Sequence, residues 1–241
     1  MTKLSVNINK VAVIRNSRGG NIPDLIQVAK DCETFGAEGI TVHPRPDQRH
    51  IRHDDIPALK EVVTTELNIE GNPTKDFMQL VLANRPHQCT LVPDLPDALT
   101  SDSGWDTLKH RLFLTDTIAA LQQAGIRVSI FVDPIEAFIE GAKIVGADRI
   151  EFYTGKYAQQ YLINKEVAIA PHKRCTAIAN ELQLGINAGH DLNLENLHYY
   201  RTNINGLLEV SIGHALISDA LYFGLQNTIQ MYKKQLSVAY T

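Results

Sequence analysis

Titratable side chains recur in this chain where short apolar runs end. Gly39-Ile40-Thr41-Val42-His43 leads into Pro44-Arg45-Pro46-Asp47-Gln48-Arg49-His50, an imidazole followed by a proline-stiffened loop with two arginines and a second histidine. Loops after strands are favoured places for catalytic groups, and the planar fork of arginine can make two hydrogen bonds at once to a phosphate. Asn68-Ile69-Glu70 ends on a carboxylate, a candidate general base, and Glu151 is the matching carboxylate in Ile150-Glu151-Phe152. Two Gly-His pairs follow later runs, in Asn187-Ala188-Gly189-His190 and Ile212-Gly213-His214-Ala215. Glycine lets a backbone amide approach an anion closely. Arg15-Asn16-Ser17-Arg18-Gly19-Gly20 is a further basic, glycine-ended loop. Each has a bland alternative: a packed histidine at His43, a cap or ion pair at Glu70, a solvated charge cluster at Arg15–Gly20.

Metal chemistry finds no pattern. The loop reads His43-Pro44-Arg45 rather than His-x-His, and neither a His-Glu-x-x-His nor a paired-cysteine motif occurs. Lysine chemistry is equally poorly served, because Lys10 and Lys156 sit just past strand ends with no sign of an apolar pocket.

Eight strands are expected to position these groups: Leu4–Ile8, Gly39–His43, Leu67–Glu70, Cys89–Val92, Arg127–Val132, Arg149–Tyr153, Gly185–Ala188 and Leu207–Ile212. Helical stretches separate them, at Pro23–Phe35, Asp54–Glu66, Thr74–Asn84, Thr107–Ala124, Pro134–Val145, Asn164–Leu182, Leu194–Arg201 and Ser218–Leu236. Three of these end in Phe-Gly-Ala, Ala-Gly-Ile or Val-Gly-Ala, where glycine supplies a left-handed stop. Strands alternating with helices argue for a parallel sheet, and eight such units in 241 residues fit a (β/α)8 barrel occupying residues 1–241 as a single domain. An open doubly wound sheet is the alternative, but its Gly-x-Gly-x-x-Gly turn after the first strand is missing. The loops after barrel strands seven and eight commonly bind phosphate, and here they carry the two Gly-His pairs. The longest loop, Asp94–Asp106, holds Thr100, Ser101 and the sole tryptophan, Trp105, and is a candidate cover over a site.

Strand alternation sorts the side chains. Val6, Ile40, Val42, Ile69, Ile150, Phe152 and Val210 fall on one face and are expected to meet helices. Ser5, Asn7, Thr41, His43, Asn68, Glu70, Arg149, Glu151, Tyr153 and Glu209 fall on the other and are expected to line the barrel. Barrel interiors are usually filled with branched apolar residues, so a polar lining points to a polar site near the strands' C-terminal ends. An internal ion-pair network, for example Arg149 with Glu209, is the competing account.

Bulk properties narrow the classes. Net charge is −4, which gives no overall pull on nucleic acid. Cys32, Cys89 and Cys175 are few, odd in number and lack ligand spacing, as expected of reduced thiols. No run approaches the ~18 apolar residues of a membrane span, and Met1–Asn7 has no apolar signal core. A cytoplasmic protein without membrane or nucleic-acid partners is the expectation.

Taken together, Val6-Asn7-Ile8, Arg15–Gly19, Gly39–His43, Arg49-His50-Ile51, Asn68-Ile69-Glu70, Leu91-Val92-Pro93, Ile150-Glu151 with Thr154-Gly155, Asn187–His190 and Ile212–Ala215 resemble the pyridoxine 5′-phosphate synthase family of the deoxyxylulose-dependent vitamin B6 pathway, over essentially the full length. The resemblance implies a (β/α)8 barrel assembled as a homo-octamer, with no organic cofactor and no metal. It implies condensation of 3-amino-2-oxopropyl phosphate with 1-deoxy-D-xylulose 5-phosphate, giving pyridoxine 5′-phosphate, inorganic phosphate and water. By the same resemblance His43 and Glu70 are proton acceptors, His190 a proton donor and Glu151 a transition-state stabiliser. Asn7, Arg18, Asp191, Gly213 and His214 then surround the amino-ketone phosphate, and Arg45, His50 and Thr100 the deoxyxylulose phosphate. Asn9 and Lys10 stand where many members carry an Asp-His pair that meets deoxyxylulose phosphate, and Asp191 stands where some have glycine. Another barrel enzyme acting on a sugar phosphate, or a silent phosphate-binding barrel, would use the same loops.

Overall fold

The computed structural model describes residues 1–94 and 101–237. Eight strands, β1 (Lys3–Asn7), β2 (Gly39–Val42), β3 (Leu67–Gly71), β4 (Gln88–Leu91), β5 (Arg127–Val132), β6 (Arg149–Tyr153), β7 (Gly185–Gly189) and β8 (Leu207–Ile212), follow one another around a closed parallel barrel. The barrel closes where β1 pairs with β8, Ser5 opposite Ser211 and Val6 opposite Ile212. The helices are α1 (Asn9–Asn16), α2 (Leu25–Thr34), α3 (Asp55–Val62), α4 (Lys75–Asn84), α5 (Arg111–Gln123), α6 (Glu136–Ile144), α7 (Gly155–Tyr161), α8 (Lys165–Glu181), α9 (Leu197–Asn203), α10 (His214–Phe223) and α11 (Leu225–Leu236). The fold is the (β/α)8 barrel that the alternation predicts.

Helix limits follow local chemistry. The side chain of Asp24 accepts from the amides of Ile26 and Gln27 to open α2, Thr74 accepts from Phe77 to open α4, and Asn164 accepts from Glu166 and Val167 to open α8. Gly36, Gly125 and Gly146 adopt φ of 104°, 79° and 85° just past α2, α5 and α6, as the sequence suggests. Two helices lie outside every predicted stretch: α1 and α7. The predicted helix Ser218–Leu236 is two helices, α10 beginning earlier at His214 and α11 starting after Gly224.

The two faces of the sheet divide as alternation requires. Leu4, Val6, Ile40, Val42, Ile69, Ile130, Ile150, Phe152, Ile186 and Val210 are fully buried against the helices. The inner face is polar and equally buried. Ser5 Oγ lies 2.7 Å from Thr41 Oγ1, Asn68 Nδ2 donates to Thr41 at 3.4 Å, and Thr90 Oγ1 donates to Asn68 at 3.0 Å and to Glu151 at 3.4 Å. Nearer the strands' N-terminal ends the lining is charged: Arg127 pairs with Glu66 and donates to Gln88, and Arg149 donates to Asn187 at 3.2 Å. A polar lining and a charged layer therefore both occur, at different depths, and the ion pair in that layer is Arg127 with Glu66. Burial raises the Glu209 carboxyl to about 8, with Glu66 adding to the rise and Arg149 opposing it. Glycines on β7 make the room: a Cβ on Gly185 would lie 2.6 Å from Arg149 Cγ, and one on Gly189 2.2 Å from Glu151 Oε1. No described helix is long and apolar enough to cross a membrane.

Candidate active site

The C-terminal end of β2 brings His43 to the barrel mouth. Its backbone amide donates to Asn9 Oδ1 at 3.0 Å, and the Asn9 amide donates to Asn7 Oδ1 at 3.0 Å, so the start of α1 is tied to β2. His43 Nδ1 lies 3.9 Å from Glu70 Oε2, and Asn7 Nδ2 reaches the same oxygen at 3.5 Å. Burial, with Arg45 and His50 adding to it, holds the His43 imidazole well below its ordinary range, so it is neutral. Burial also pushes the Glu70 carboxyl up to about 8, reinforced by Asp94 and opposed by Arg45. Glu151 is raised well above the ordinary carboxylate range by burial and by Glu70. Two carboxyls, on β3 and β6, thus both hold protons more tightly than usual, Glu151 partly because of Glu70, a pattern typical of acid–base sites.

Arg45 is buried and pairs with Asp94 at 2.7 Å. The same Asp94 oxygen accepts from Ser101 Oγ at 2.6 Å, and Asn72 Nδ2 donates to the Asp94 carbonyl at 2.8 Å. His50 Nδ1 accepts from the Ile51 amide at 2.9 Å, which leaves the proton of the neutral ring on Nε2. Burial, Arg45 and Arg49 bring its pKa down to about 4. The loop carrying Arg45 and His50 is latched to α1: buried Arg15 grips both Asp55 oxygens at 2.7 and 2.9 Å, and Asn16 Nδ2 donates to the His50 carbonyl at 2.7 Å. Arg15 is therefore a structural anchor. Arg18 is exposed on the turn after α1, and Lys10 is exposed on α1 itself, close enough to His50 to help lower its pKa. Thr100 lies outside the described residues. A pocket opens beside the cluster, lined by His43, Arg45, Asn72 and Asp94 and by the apolar Phe77 and Leu80 of α4.

Across the mouth, β7 ends in an unusual turn. His190 and Asp191 adopt φ of 81° and 51°, a left-handed conformation that costs an ordinary L-residue roughly 1–2 kcal/mol. His190 Nδ1 lies 3.4 Å from Asp191 Oδ2, and the ring meets Tyr153 edge to face at 5.4 Å between centroids. Hydrogen bonding to His190 holds the Asp191 carboxyl below its ordinary range. Gly213 caps α10, and a Cβ there would approach Asn7 Cβ to 3.0 Å, so β8 delivers the exposed His214 next to β1.

Asn7, His43 and Glu70 are thus brought together, Arg45 and His50 flank them, and His190, Asp191, Gly213 and His214 stand at the ends of β7 and β8. Sequence reasoning missed Asp94, although Leu91-Val92-Pro93-Asp94 places it just past a strand like His43, and it missed Ser101 as the partner of Asp94. Lys156 is exposed and bonds Asp133 at 3.1 Å, so it is no desolvated nucleophile. Among the described residues no group of three or more metal-ligating side chains converges. What the mouth can do is exchange protons between neutral, buried groups beside a guanidinium able to meet an anion.

Comparison with known proteins gives the family. Residues 4–238 match the family described as pyridoxal phosphate biosynthesis protein PdxJ. Pyridoxine 5′-phosphate synthase of Cytophaga hutchinsonii is 61% identical over 98% of this chain and 99% of its own length. The synthase of Flavobacterium johnsoniae is 58% identical, over 98% of this chain and all of its own. Among solved structures, tryptophan synthase from Mycobacterium tuberculosis superposes with a TM-score of 0.66 at 12% identity, covering 99% of this chain and 93% of that one, a likeness of fold alone.

Proposed function

The chain belongs to the PdxJ family of pyridoxal phosphate biosynthesis proteins, and on that premise we propose that it condenses 3-amino-2-oxopropyl phosphate with 1-deoxy-D-xylulose 5-phosphate by acid–base catalysis, giving pyridoxine 5′-phosphate, inorganic phosphate and water. The reaction forms an imine from the amine and a ketone, expels water and phosphate, and closes a ring. Every step moves a proton, so acids and bases of separated strength are needed. The observation that carries the reading is the trio His43, Glu70 and Glu151, largely removed from solvent, beside Arg45.

Glu70 is a proton acceptor whose affinity, raised to about 8, suits general-base work near neutral pH. His43, kept neutral, is a second acceptor, and Glu151, kept protonated, stabilises the charge that develops. His190 is the proton donor. Asn7, Arg18, Asp191, Gly213 and His214 hold the amino-ketone phosphate; Asn9, Lys10, Arg45, His50 and Thr100 hold the deoxyxylulose phosphate. Arg45 keeps its fork pre-aligned through Asp94, and a phosphate then competes for a guanidinium already in place. Joining two bound substrates removes an entropic barrier of up to roughly 7–11 kcal/mol in well-oriented cases. The chemistry asks for neither metal nor organic cofactor. The same resemblance supports a cytoplasmic homo-octamer, for which the exposed Leu112, Leu162, Ile163, Leu221 and Tyr222 offer apolar surface.

Incubating the purified protein with both substrates tests the reading. Pyridoxine 5′-phosphate and inorganic phosphate should appear in equal amounts, and neither when one substrate is left out. Binding of both substrates without product would sink it.

A further inference from the structure

The left-handed turn at His190 and Asp191 is held from outside itself. The hydroxyl of Thr154, fully buried just before α7, donates to the Gly189 carbonyl at 2.7 Å and also to the His190 carbonyl. The side-chain amide of Asn196, buried just before α9, donates to the Asp191 carbonyl at 3.2 Å, while its own Oδ1 accepts from the Asn193 amide at 2.9 Å. The Asn196 carbonyl in turn accepts from the buried Tyr157 hydroxyl on α7 at 2.8 Å. Three consecutive carbonyls, of residues 189, 190 and 191, are therefore held by two side chains, one of them braced by a third. A turn built from two non-glycine residues of positive φ persists only when its surroundings over-determine it, and these bonds are that constraint.

We propose that Thr154 and Asn196, braced by Tyr157, are positioning residues that aim the imidazole of His190 into the barrel mouth. The proposal rests on the reading of His190 as the proton donor, but the clamp is measurable without it. Removing the Thr154 hydroxyl frees the His190 carbonyl, while the Gly189 carbonyl keeps its bond from the Thr154 amide at 3.1 Å; the turn relaxes at His190, the imidazole drifts, and proton transfer slows while the phosphate contacts on β2 and β8 stay intact.

The test compares Thr154→Val, which keeps shape and removes the hydroxyl, with Thr154→Ser, which keeps the hydroxyl, and with His190→Asn, all in the full chain. Thr154→Val should lower kcat on the order of 10- to 100-fold and leave KM for both substrates within about threefold. Thr154→Ser should restore kcat. Thr154→Val combined with His190→Asn should lose no more than His190→Asn alone, because Thr154 acts only through that ring. Deuterium exchange of the amides of residues 187–195 should rise in Thr154→Val and return in Thr154→Ser. Unchanged exchange, kcat within twofold of the parent, or losses that multiply in the double variant would each overturn the clamp. Faster exchange with His190→Asn fully active would uphold the clamp and reject the proton-donor role instead. If Thr154→Val does not fold, Tyr157→Phe carries the same comparison with a smaller expected loss.

Discussion

His43 lies buried at the end of β2, between the valine that closes the strand and a loop stiffened by Pro44 and Pro46, and its neighbouring carboxyl, Glu70, is only 12% exposed. His190 lies half-buried at the end of β7 in a left-handed turn, and its neighbouring carboxyl, Asp191, is exposed. Burial drives the first pair to neutrality from both sides, lowering the imidazole and raising the carboxyl. Hydrogen bonding in the second keeps the carboxyl ionised. One barrel mouth thus holds two histidine–carboxyl pairs whose carboxyls are shifted in opposite directions, one raised by burial and one lowered by a hydrogen bond. The backbone differs as well: covalent rings restrain the β2 loop, whereas hydrogen bonds to carbonyls restrain the β7 turn.

The strongest way to break this contrast is Glu70→Gln. It keeps the shape of the β2 pair and removes its base, so kcat should fall by roughly 10²- to 10⁴-fold with KM little changed. The rise of kcat/KM toward about pH 8 set by Glu70 should vanish as well. Stability should move the other way. A carboxyl raised from 4.5 to about 8 on folding keeps a proton that the unfolded chain releases, so the wild type loses stability as pH climbs through that window. Glu70→Gln escapes that loss, and its Tm advantage should widen from pH 5 to pH 8. A kcat within a few-fold of wild type would remove Glu70 as the base.

Covalent restraint is tested by Pro46→Ala. Pro46 is exposed, so the change acts mainly through unfolded-chain freedom, and denaturant unfolding should show a loss of about 0.4–1 kcal/mol. A larger loss would mean that the loop leans on the ring for packing. The smallest effect belongs to Asp191→Gly. Relief of a left-handed φ, about 1 kcal/mol, and the greater freedom of glycine in the unfolded chain, about 0.4–1 kcal/mol, nearly cancel. Stability should stay within about 0.5 kcal/mol by the same measurement, and a clear drop would show that the carboxylate, not the backbone, secures the turn.

The two turns also differed in how far they could be read in advance. The β2 loop announces itself, because prolines and arginines are local signals. Alternation likewise placed Ser5, Thr41, Asn68 and Glu151 inside the barrel, since a period of two needs no tertiary knowledge. The clamp at β7 gave no such signal. Thr154 and Asn196 reach their carbonyls across 35 or 36 residues and 5 residues respectively, and α7, with 7 residues, is too short for helical periodicity to stand out. α1, with 8 residues, was lost for the same reason. Asp94 finds Arg45 across 49 residues, a pairing only closure of the barrel creates. Hydrophobic period is written locally; which buried donor meets which acceptor is decided by the assembled fold.

The closure between β1 and β8 also sets a timetable. Thr2 Oγ1 donates to the carbonyl of Leu207, 205 residues away, so a chain made from its N-terminus carries β1 as an open edge until nearly the whole sequence exists. Contacts of such span form late and leave incomplete sheets exposed. A lining of branched apolar residues would make that interval hazardous. Here the concave surface bears Ser5, Thr41, Asn68, Thr90 and Glu151, which water can satisfy until their neighbours arrive, and only the outer faces of the strands need covering. Each strand brings the following helix to do so, and a half-built barrel keeps its hollow side wettable while it waits for its last strand.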